Sequence, residues 1–119
     1  MSDARLYTGG CHCGSVRFEV TTDLKSAISC NCSICTKRGL ILTFVPPENF
    51  TLLSGEGQQA DYQFNTKNIH HLFCRTCGIE SFGTGTTPDG KTMIAVNIRC
   101  LDDIDLSAIQ TTPVDGRNF

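Results

Sequence analysis

The 119-residue sequence has no tryptophan, no block of like charges and no long apolar run. Its 10 basic and 12 acidic side chains give a formal net charge of -2. Proteins that bind nucleic acid or anionic membranes through phosphate groups usually present clustered positive charge. The best apolar run, LILTFV at 40–45, is far shorter than the roughly 20 residues of a membrane-spanning helix. The sequence therefore predicts neither a nucleic-acid partner nor a membrane partner.

The first residues, MSDARLYTGG, lack the apolar core and the small-residue cleavage site of a secretory signal. We therefore expect the protein in the cytoplasm. A chain of this length forms one hydrophobic core, so residues 1–119 are predicted to form a single domain. Its core is expected to span about residues 8–104, with a C-terminal tail at 113–119. The sequence does not predict an oligomeric state.

Helical periodicity is scarce, and short segments of alternating polarity dominate. In SVRFEVT, at 15–21, Val16, Phe18 and Val20 fall on one face, which is typical of a half-buried strand. TTPDGK, at 86–91, has the composition of a turn and predicts a hairpin. Helix is expected only for one turn after Cys32 and in DDIDLSAI near the C-terminus. The pattern predicts an all-β domain of small antiparallel sheets.

Cysteine, in contrast, is abundant, with eight residues in the chain. In a reducing compartment, clusters of this kind are more often metal ligands than disulfides. The cysteines fall into four groups along the chain: Cys11 with Cys13; Cys30, Cys32 and Cys35; Cys74 with Cys77; and Cys100 alone. Because a disulfide across C-x-C is strained and iron–sulfur ligation rests on ligand type alone, zinc is the favoured interpretation.

The first and third groups are predicted to form one closed four-cysteine zinc site. The sequence FCRTCG, which contains Cys74 and Cys77, is typical of a zinc knuckle, with Gly78 permitting the tight turn. In the pair Cys11 and Cys13, alternate residues of an extended segment would point to the same side. Such a site would stabilise the fold by closing a loop of some sixty residues.

Cys30, Cys32 and Cys35 then remain as a group of three. A catalytic zinc commonly has three protein ligands and leaves its fourth position to water or substrate. Alternatively, Cys100 supplies the fourth ligand and makes both sites structural. Because Ile94, Val96, Ile98 and Cys100 would share one apolar strand face, a buried free thiol is the simpler interpretation of Cys100.

The histidines and the nearby basic residues are weaker candidates. His12 lies between two cysteines and is expected either at the surface or in contact with a metal ligand rather than with the metal. His70 and His71 alternate in direction, so that at most one of them reaches a metal. Solvent contact or hydrogen bonding in the core is the favoured role for both. Three basic side chains near the cysteines are candidates for binding a substrate carboxylate, although a solvated surface charge is the simpler interpretation: Lys37, Arg38 and Arg75.

The segments GGCHCGSVRFEV, CNCSIC, HLFCRTCG and VNIRCLDD together resemble the glutathione-dependent formaldehyde-activating enzyme family, also called the centromere protein V/formaldehyde-activating group. The resemblance runs from about Thr8 to about Ile104. It implies a β-tent fold related to zinc-ribbon proteins and two Zn²⁺ ions per chain. It also implies a structural zinc on Cys11, Cys13, Cys74 and Cys77, and a catalytic zinc on Cys30, Cys32 and Cys35.

The activity that the resemblance implies is that of a carbon–sulfur lyase, which condenses glutathione with formaldehyde to an S-hydroxymethyl adduct. The sequence departs from the pattern of many relatives at Asn31, where they have histidine, and at Thr36, where they have a basic residue. These departures concern the identity of the thiol and the aldehyde rather than metal binding. The alternative function is a non-enzymatic zinc module that binds a protein partner or carries a thiol.

Overall fold

The computed structural model describes residues 4–25, 27–63 and 69–115. Within these ranges the chain is mostly β, with ten strands and one short α-helix. In chain order they are β1 (Arg5–Gly10), β2 (Arg17–Thr22), β3 (Ile28–Cys30), α1 (Ser33–Arg38), β4 (Leu42–Val45), β5 (Phe50–Ser54), β6 (Gln59–Tyr62), β7 (His70–Cys74), β8 (Phe82–Thr86), β9 (Thr92–Asn97) and β10 (Thr112–Val114). Three 3-10 turns join them: Pro47–Asn49, Ile98–Cys100 and Leu106–Ala108.

The smaller sheet consists of three antiparallel strands in the order β1-β2-β5. Its central strand confirms the alternation seen in the sequence, because Val16, Phe18 and Val20 are fully buried. Phe18 stacks on Phe50 with ring centroids 5.3 Å apart and meets the edge of Phe82 at 6.2 Å. The main hydrophobic core therefore lies on the inner face of this sheet, against the larger one.

The larger sheet has seven strands in the order β10-β3-β4-β9-β8-β7-β6. The predicted hairpin is present, because β8 pairs with β9 in antiparallel register around a turn in which Gly90 has a φ of 88°. One pair was not predicted: β10 runs parallel to β3. Pro113 and Val114, which the sequence assigned to the tail, thus belong to a strand, and residues 116–119 lie outside the described ranges.

Helical structure is confined to short pieces. The turn predicted after Cys32 is α1, which ends at Gly39 in the left-handed conformation with a φ of 66°. DDIDLSAI contributes only the 3-10 turn Leu106–Ala108. None of the helices in the described ranges is long and apolar enough to cross a membrane.

The sequence predicts that the last long strand continues through Cys100, and this prediction is wrong. β9 stops at Asn97, whose side-chain oxygen accepts a hydrogen bond from the N–H of Arg99 and starts a 3-10 turn. Cys100 therefore does not continue the apolar face of Ile94 and Val96, and it is partly rather than fully buried.

Candidate metal centres and the adjoining cleft

Four cysteines meet at one end of the main core, where the turn after β1 approaches the end of β7. Cys74 is the last residue of β7, and the N–H of Gly78 closes a tight turn on its carbonyl oxygen at 2.9 Å. Gly78 has a φ of 81°, which is why glycine follows this knuckle. Gly10 is required for a different reason, because a Cβ there would lie 2.2 Å from the carbonyl oxygen of Val16.

The sulfur atoms of Cys11, Cys13, Cys74 and Cys77 all lie within 4.8 Å of one another. The Cys11–Cys13 and Cys13–Cys74 sulfur distances are 3.7 and 3.6 Å. A zinc ion with Zn–S bonds of about 2.3 Å in tetrahedral geometry sets neighbouring sulfurs about 3.8 Å apart, whereas a disulfide requires about 2.05 Å. The donor set and its spacing therefore fit a four-thiolate zinc site.

Hydrogen bonding at this group favours thiolates. The side chain and N–H of Ser15 lower the pKa of Cys13. Burial opposes the Cys77 thiolate, but backbone N–H groups, foremost that of Ile79, outweigh it and lower the pKa of Cys77 to about 6. Burial raises the pKa of Cys11. A bound cation is what would keep the buried member of the group ionised.

One prediction about this group is wrong in detail. Cys11 and Cys13 do not lie on an extended strand; β1 ends at Gly10 and both cysteines lie in the turn that follows it. The turn still directs both sulfurs to the same point. His12, between them, is exposed, as expected.

The second group gathers Cys30, Cys32 and Cys35 at the junction of β3 and α1, with sulfurs again within 4.8 Å of one another. Cys30 ends β3, Cys32 is the N-cap of α1 and Cys35 is buried inside the helix. The N–H of Cys32 donates to the Cys30 sulfur at 3.4 Å. The group packs on a small separate core formed by Ile34, Cys35, Leu40 and Leu42.

Electrostatics oppose three thiolates at this position in the absence of a cation. Burial disfavours the Cys32 thiolate, but the N–H groups of Cys35 and Ile34 in the first turn of α1 outweigh it and lower the pKa of Cys32. Burial, together with the sulfurs of Cys32 and Cys30, raises the pKa of Cys35 well above its ordinary value. A divalent cation would remove this conflict, so the three sulfurs fit a metal with three protein ligands.

Cys100 belongs to neither group of ligand atoms within the part of the chain that the structure describes. Its thiol faces the backbone oxygen of Glu80 at 3.7 Å and the side-chain amide of Asn97 at 3.5 Å. Burial raises its pKa to about 11, so it is a neutral thiol at pH 7. The structure therefore brings the three cysteines together without Cys100.

A cleft of about 590 Å³ opens beside the three-cysteine group. Cys30 and Cys35 form part of its wall. β10 and Asp115 form another part of the wall. They lie next to Asn31, which donates its backbone N–H to the carbonyl oxygen of Val114 at 3.0 Å and its side-chain amide to Asp115 at 2.8 Å. The parallel β10 strand, which the sequence did not reveal, is therefore a wall of the candidate site. The remaining lining residues are Ser29, Thr36, Gly39, Leu40, Ile41, Arg99, Thr111 and Pro113.

The basic residues singled out from the sequence lie elsewhere. Lys37 and Arg38 line a different depression, on another side of α1. Arg38 forms an ion pair with the buried carboxylate of Glu80 and lies 5.2 Å from the ring centroid of Phe73. Arg75 lies in the knuckle, with its N–H bound to Gln58. None of the three is among the described residues that line the cleft, so their proposed contact with a substrate carboxylate has no support from the geometry.

The two adjacent histidines have the hydrogen-bonding roles that were favoured. His70 is partly exposed and its Nδ1 lies 2.7 Å from Asp61. His71 is buried with its Nδ1 3.2 Å from Glu80. Glu80 thus links His71 on β7 to Arg38 at the end of α1, which ties the helix that carries Cys35 to the larger sheet.

The model of one protein family, described as glutathione-dependent formaldehyde-activating enzyme, matches residues 6–114. The match includes all seven cysteines of the two groups. Among solved structures, a Rhodobacter sphaeroides protein determined as a structural-genomics target is similar to this chain, with a TM-score of 0.77 and 30% sequence identity. The alignment covers 89% of this chain and 97% of the other.

Proposed function

Because the chain belongs to the glutathione-dependent formaldehyde-activating enzyme family, we propose that it is a zinc-dependent carbon–sulfur lyase. In the direction of synthesis it condenses glutathione, or a similar thiol, with formaldehyde or another small aldehyde. The observation that carries the proposal is the group of three cysteine sulfurs in the wall of a cleft. Three protein ligands beside open space leave room for a ligand that comes from the substrate.

In this proposal the two cysteine groups have different roles. Cys11, Cys13, Cys74 and Cys77 hold a structural zinc, since they supply four donors and complete its coordination. Cys30, Cys32 and Cys35 hold a second zinc, whose chemistry is to lower the pKa of the incoming thiol so that a nucleophile is available at neutral pH. The protein would thus bind two Zn²⁺ ions per chain.

The reaction is an addition with a simple balance. The thiol sulfur forms a bond to the carbonyl carbon of the aldehyde, the carbon–oxygen π bond breaks, and the thiol proton ends on the resulting oxygen. The product is an S-hydroxymethyl adduct, and the reverse reaction cleaves the carbon–sulfur bond. The addition needs no redox partner. Beyond holding the metal, the contribution of the chain is to keep the thiol and the aldehyde in contact.

The cleft has suitable dimensions for this task. Its volume of about 590 Å³ lies within the roughly 300–1,000 Å³ of small-molecule sites. Cys30 and Cys35 place the proposed metal at its wall, while β10 closes the side next to Asn31. We assign the fold to the β-tent type and the location to the cytoplasm, where glutathione is abundant and thiols remain reduced.

The proposal is tested by exchange NMR with ¹³C-labelled formaldehyde and glutathione. We expect the zinc-loaded protein to accelerate interconversion of formaldehyde and the S-hydroxymethyl adduct in proportion to protein concentration. Two separate controls are measured: an equal concentration of the protein stripped of metal, and free zinc in buffer without protein.

An exchange rate equal to that of the free-zinc control would refute the lyase activity. If glutathione nevertheless binds the protein, the alternative of a thiol carrier is supported instead. If neither exchange nor binding is observed, a structural zinc module remains.

A further inference from the structure

Arg99 is a cation in the cleft that sequence reasoning did not identify. It lies in the 3-10 turn Ile98–Cys100 and lines the same cleft as Cys30 and Cys35. Within the described lining, Asp115 is the only carboxylate, and it accepts the side-chain amide of Asn31. The cleft therefore combines one positive and one negative side chain next to the three-cysteine group.

The structure holds Arg99 in place at both its backbone and its side chain. Its N–H donates to the side-chain oxygen of Asn97 at 3.1 Å, and the N–H of the preceding Ile98 donates to the carbonyl oxygen of Ile41 at 2.7 Å. Its Nε donates to the carbonyl oxygen of Gly39 at 2.9 Å. Gly39 ends α1, the helix that carries Cys35. Arg99 is exposed to solvent, but its Nε–H bond ties the guanidinium to the end of α1 and so to the three-cysteine group.

This anchoring leaves most of the guanidinium donors available. A guanidinium has five N–H groups, and the Nε–H is committed to Gly39. The two terminal nitrogens of Arg99 have no hydrogen-bond or ion-pair partner among the described residues. A carboxylate accepts two parallel N–H bonds from such a fork. By contrast, the guanidinium of Arg38 is already paired with Glu80.

We propose that Arg99 binds a carboxylate of the thiol substrate and so determines which thiols are accepted in the cleft. The proposal rests on the proposed function for the identity of the substrate, and it selects thiols that carry carboxylates, as glutathione does, over small neutral or cationic thiols. Asp115 adds a carboxylate in the same cleft, which is compatible with the ammonium group of an amino-acid thiol.

The test is the binding of S-methylglutathione, which keeps both carboxylates of the tripeptide but has no free thiol for the metal. Calorimetric titration of the zinc-loaded full-length protein gives its dissociation constant. We expect Arg99→Gln to weaken binding at least tenfold, because a charge-assisted bidentate contact is lost. Arg99→Lys keeps the charge but not the two parallel N–H donors, and its dissociation constant should lie between those of wild type and Arg99→Gln.

The matched control is Arg5→Gln, which removes the same charge from an exposed position on β1 and should leave the dissociation constant unchanged. Two S-methylglutathione analogues, each lacking one carboxylate, then identify the contact. With the analogue that lacks the carboxylate bound by Arg99, wild type and Arg99→Gln should bind equally weakly; with the other, the difference of at least tenfold should persist.

The proposal is overturned if Arg99→Gln binds S-methylglutathione as wild type does, if both analogues retain the full Arg99 dependence, or if wild type does not bind the compound. Failure of the proposed function is a separate result: S-methylglutathione would bind in an Arg99-dependent way while no acceleration of the formaldehyde exchange is found. Circular dichroism and zinc content of each variant show whether a loss of binding comes from misfolding.

Discussion

Replacing Cys74 by serine is expected to abolish the folded structure. Cys74 is fully buried at the end of β7, and its sulfur lies 3.6 Å from that of Cys13, which is 61 residues away in sequence. Structural zinc sites contribute about 10–16 kcal/mol of apparent binding free energy, which equals or exceeds the roughly 5–15 kcal/mol by which whole domains are stable. Loss of this zinc ion would therefore remove more stability than the β domain has to spare, and Cys74→Ser weakens its binding by removing the most buried of the four ligands.

The measurement is thermal unfolding by circular dichroism, together with zinc content by elemental analysis. Wild type should unfold cooperatively with two zinc ions per chain, and Cys74→Ser should show no cooperative transition. Cys100→Ser is the matched control, because it makes the same chemical change at a cysteine outside both groups. It should keep two zinc ions and a cooperative transition. A folded Cys74→Ser protein with one zinc ion would show that the four-cysteine site is not structural, and one with two zinc ions would show that Cys74 is not needed to hold the metal.

Replacing Cys35 by serine is expected to abolish the activity but to leave the protein folded. Cys35 packs in the small core around α1, apart from the main core that contains Phe18 and Cys74. A serine there costs about 1–3 kcal/mol for burying a hydroxyl and removes one of the three protein ligands of the proposed catalytic zinc.

The Cys35→Ser protein should retain one zinc ion and a cooperative unfolding transition, while its formaldehyde exchange rate should fall to that of the uncatalysed reaction. Zinc content and exchange NMR on one preparation report both quantities. Release of both zinc ions would show that the division of the cysteines into two independent sites is wrong. Retention of two zinc ions with full activity would show that Cys35 is not a ligand.

The cysteine groups could be predicted because each depends on spacing within a few residues. A C-x-x-C followed by glycine, as in Cys74, Cys77 and Gly78, predicts a zinc knuckle regardless of its surroundings. The other cysteines are then assigned by the number of ligands that each zinc site needs. The alternation around Phe18 specified the buried strand for the same reason, since side-chain direction depends on near neighbours only. This local information identified the short cysteine motifs, although not the turn in which Cys11 and Cys13 lie. Joining Cys11 and Cys13 to Cys74 and Cys77, some sixty residues away, depended instead on the four donors that a closed zinc site needs and on the resemblance to the family.

The cleft could not be predicted, because long-range pairing forms its walls. β10 is three residues long, has no alternation of polarity and contains Pro113, yet its parallel pairing with β3 places it beside Asn31. Arg99 was overlooked because the apolar alternation was extended through Cys100, whereas the Asn97 side chain ends the strand and turns Arg99 toward the helix end at Gly39. β10 has no local signal in the sequence, whereas Asn97, a residue type favoured at caps and turns, is a weak local signal for the end of β9.

A crystal structure of the zinc-loaded protein soaked with glutathione tests the central claim most directly. The account predicts a zinc ion bound by Cys30, Cys32 and Cys35, with the glutathione sulfur as its fourth ligand at about 2.3 Å. A second zinc ion should lie on Cys11, Cys13, Cys74 and Cys77 and have no contact with glutathione. Completion of the three-cysteine site by a fourth protein ligand, with glutathione bound elsewhere or not at all, would contradict the account.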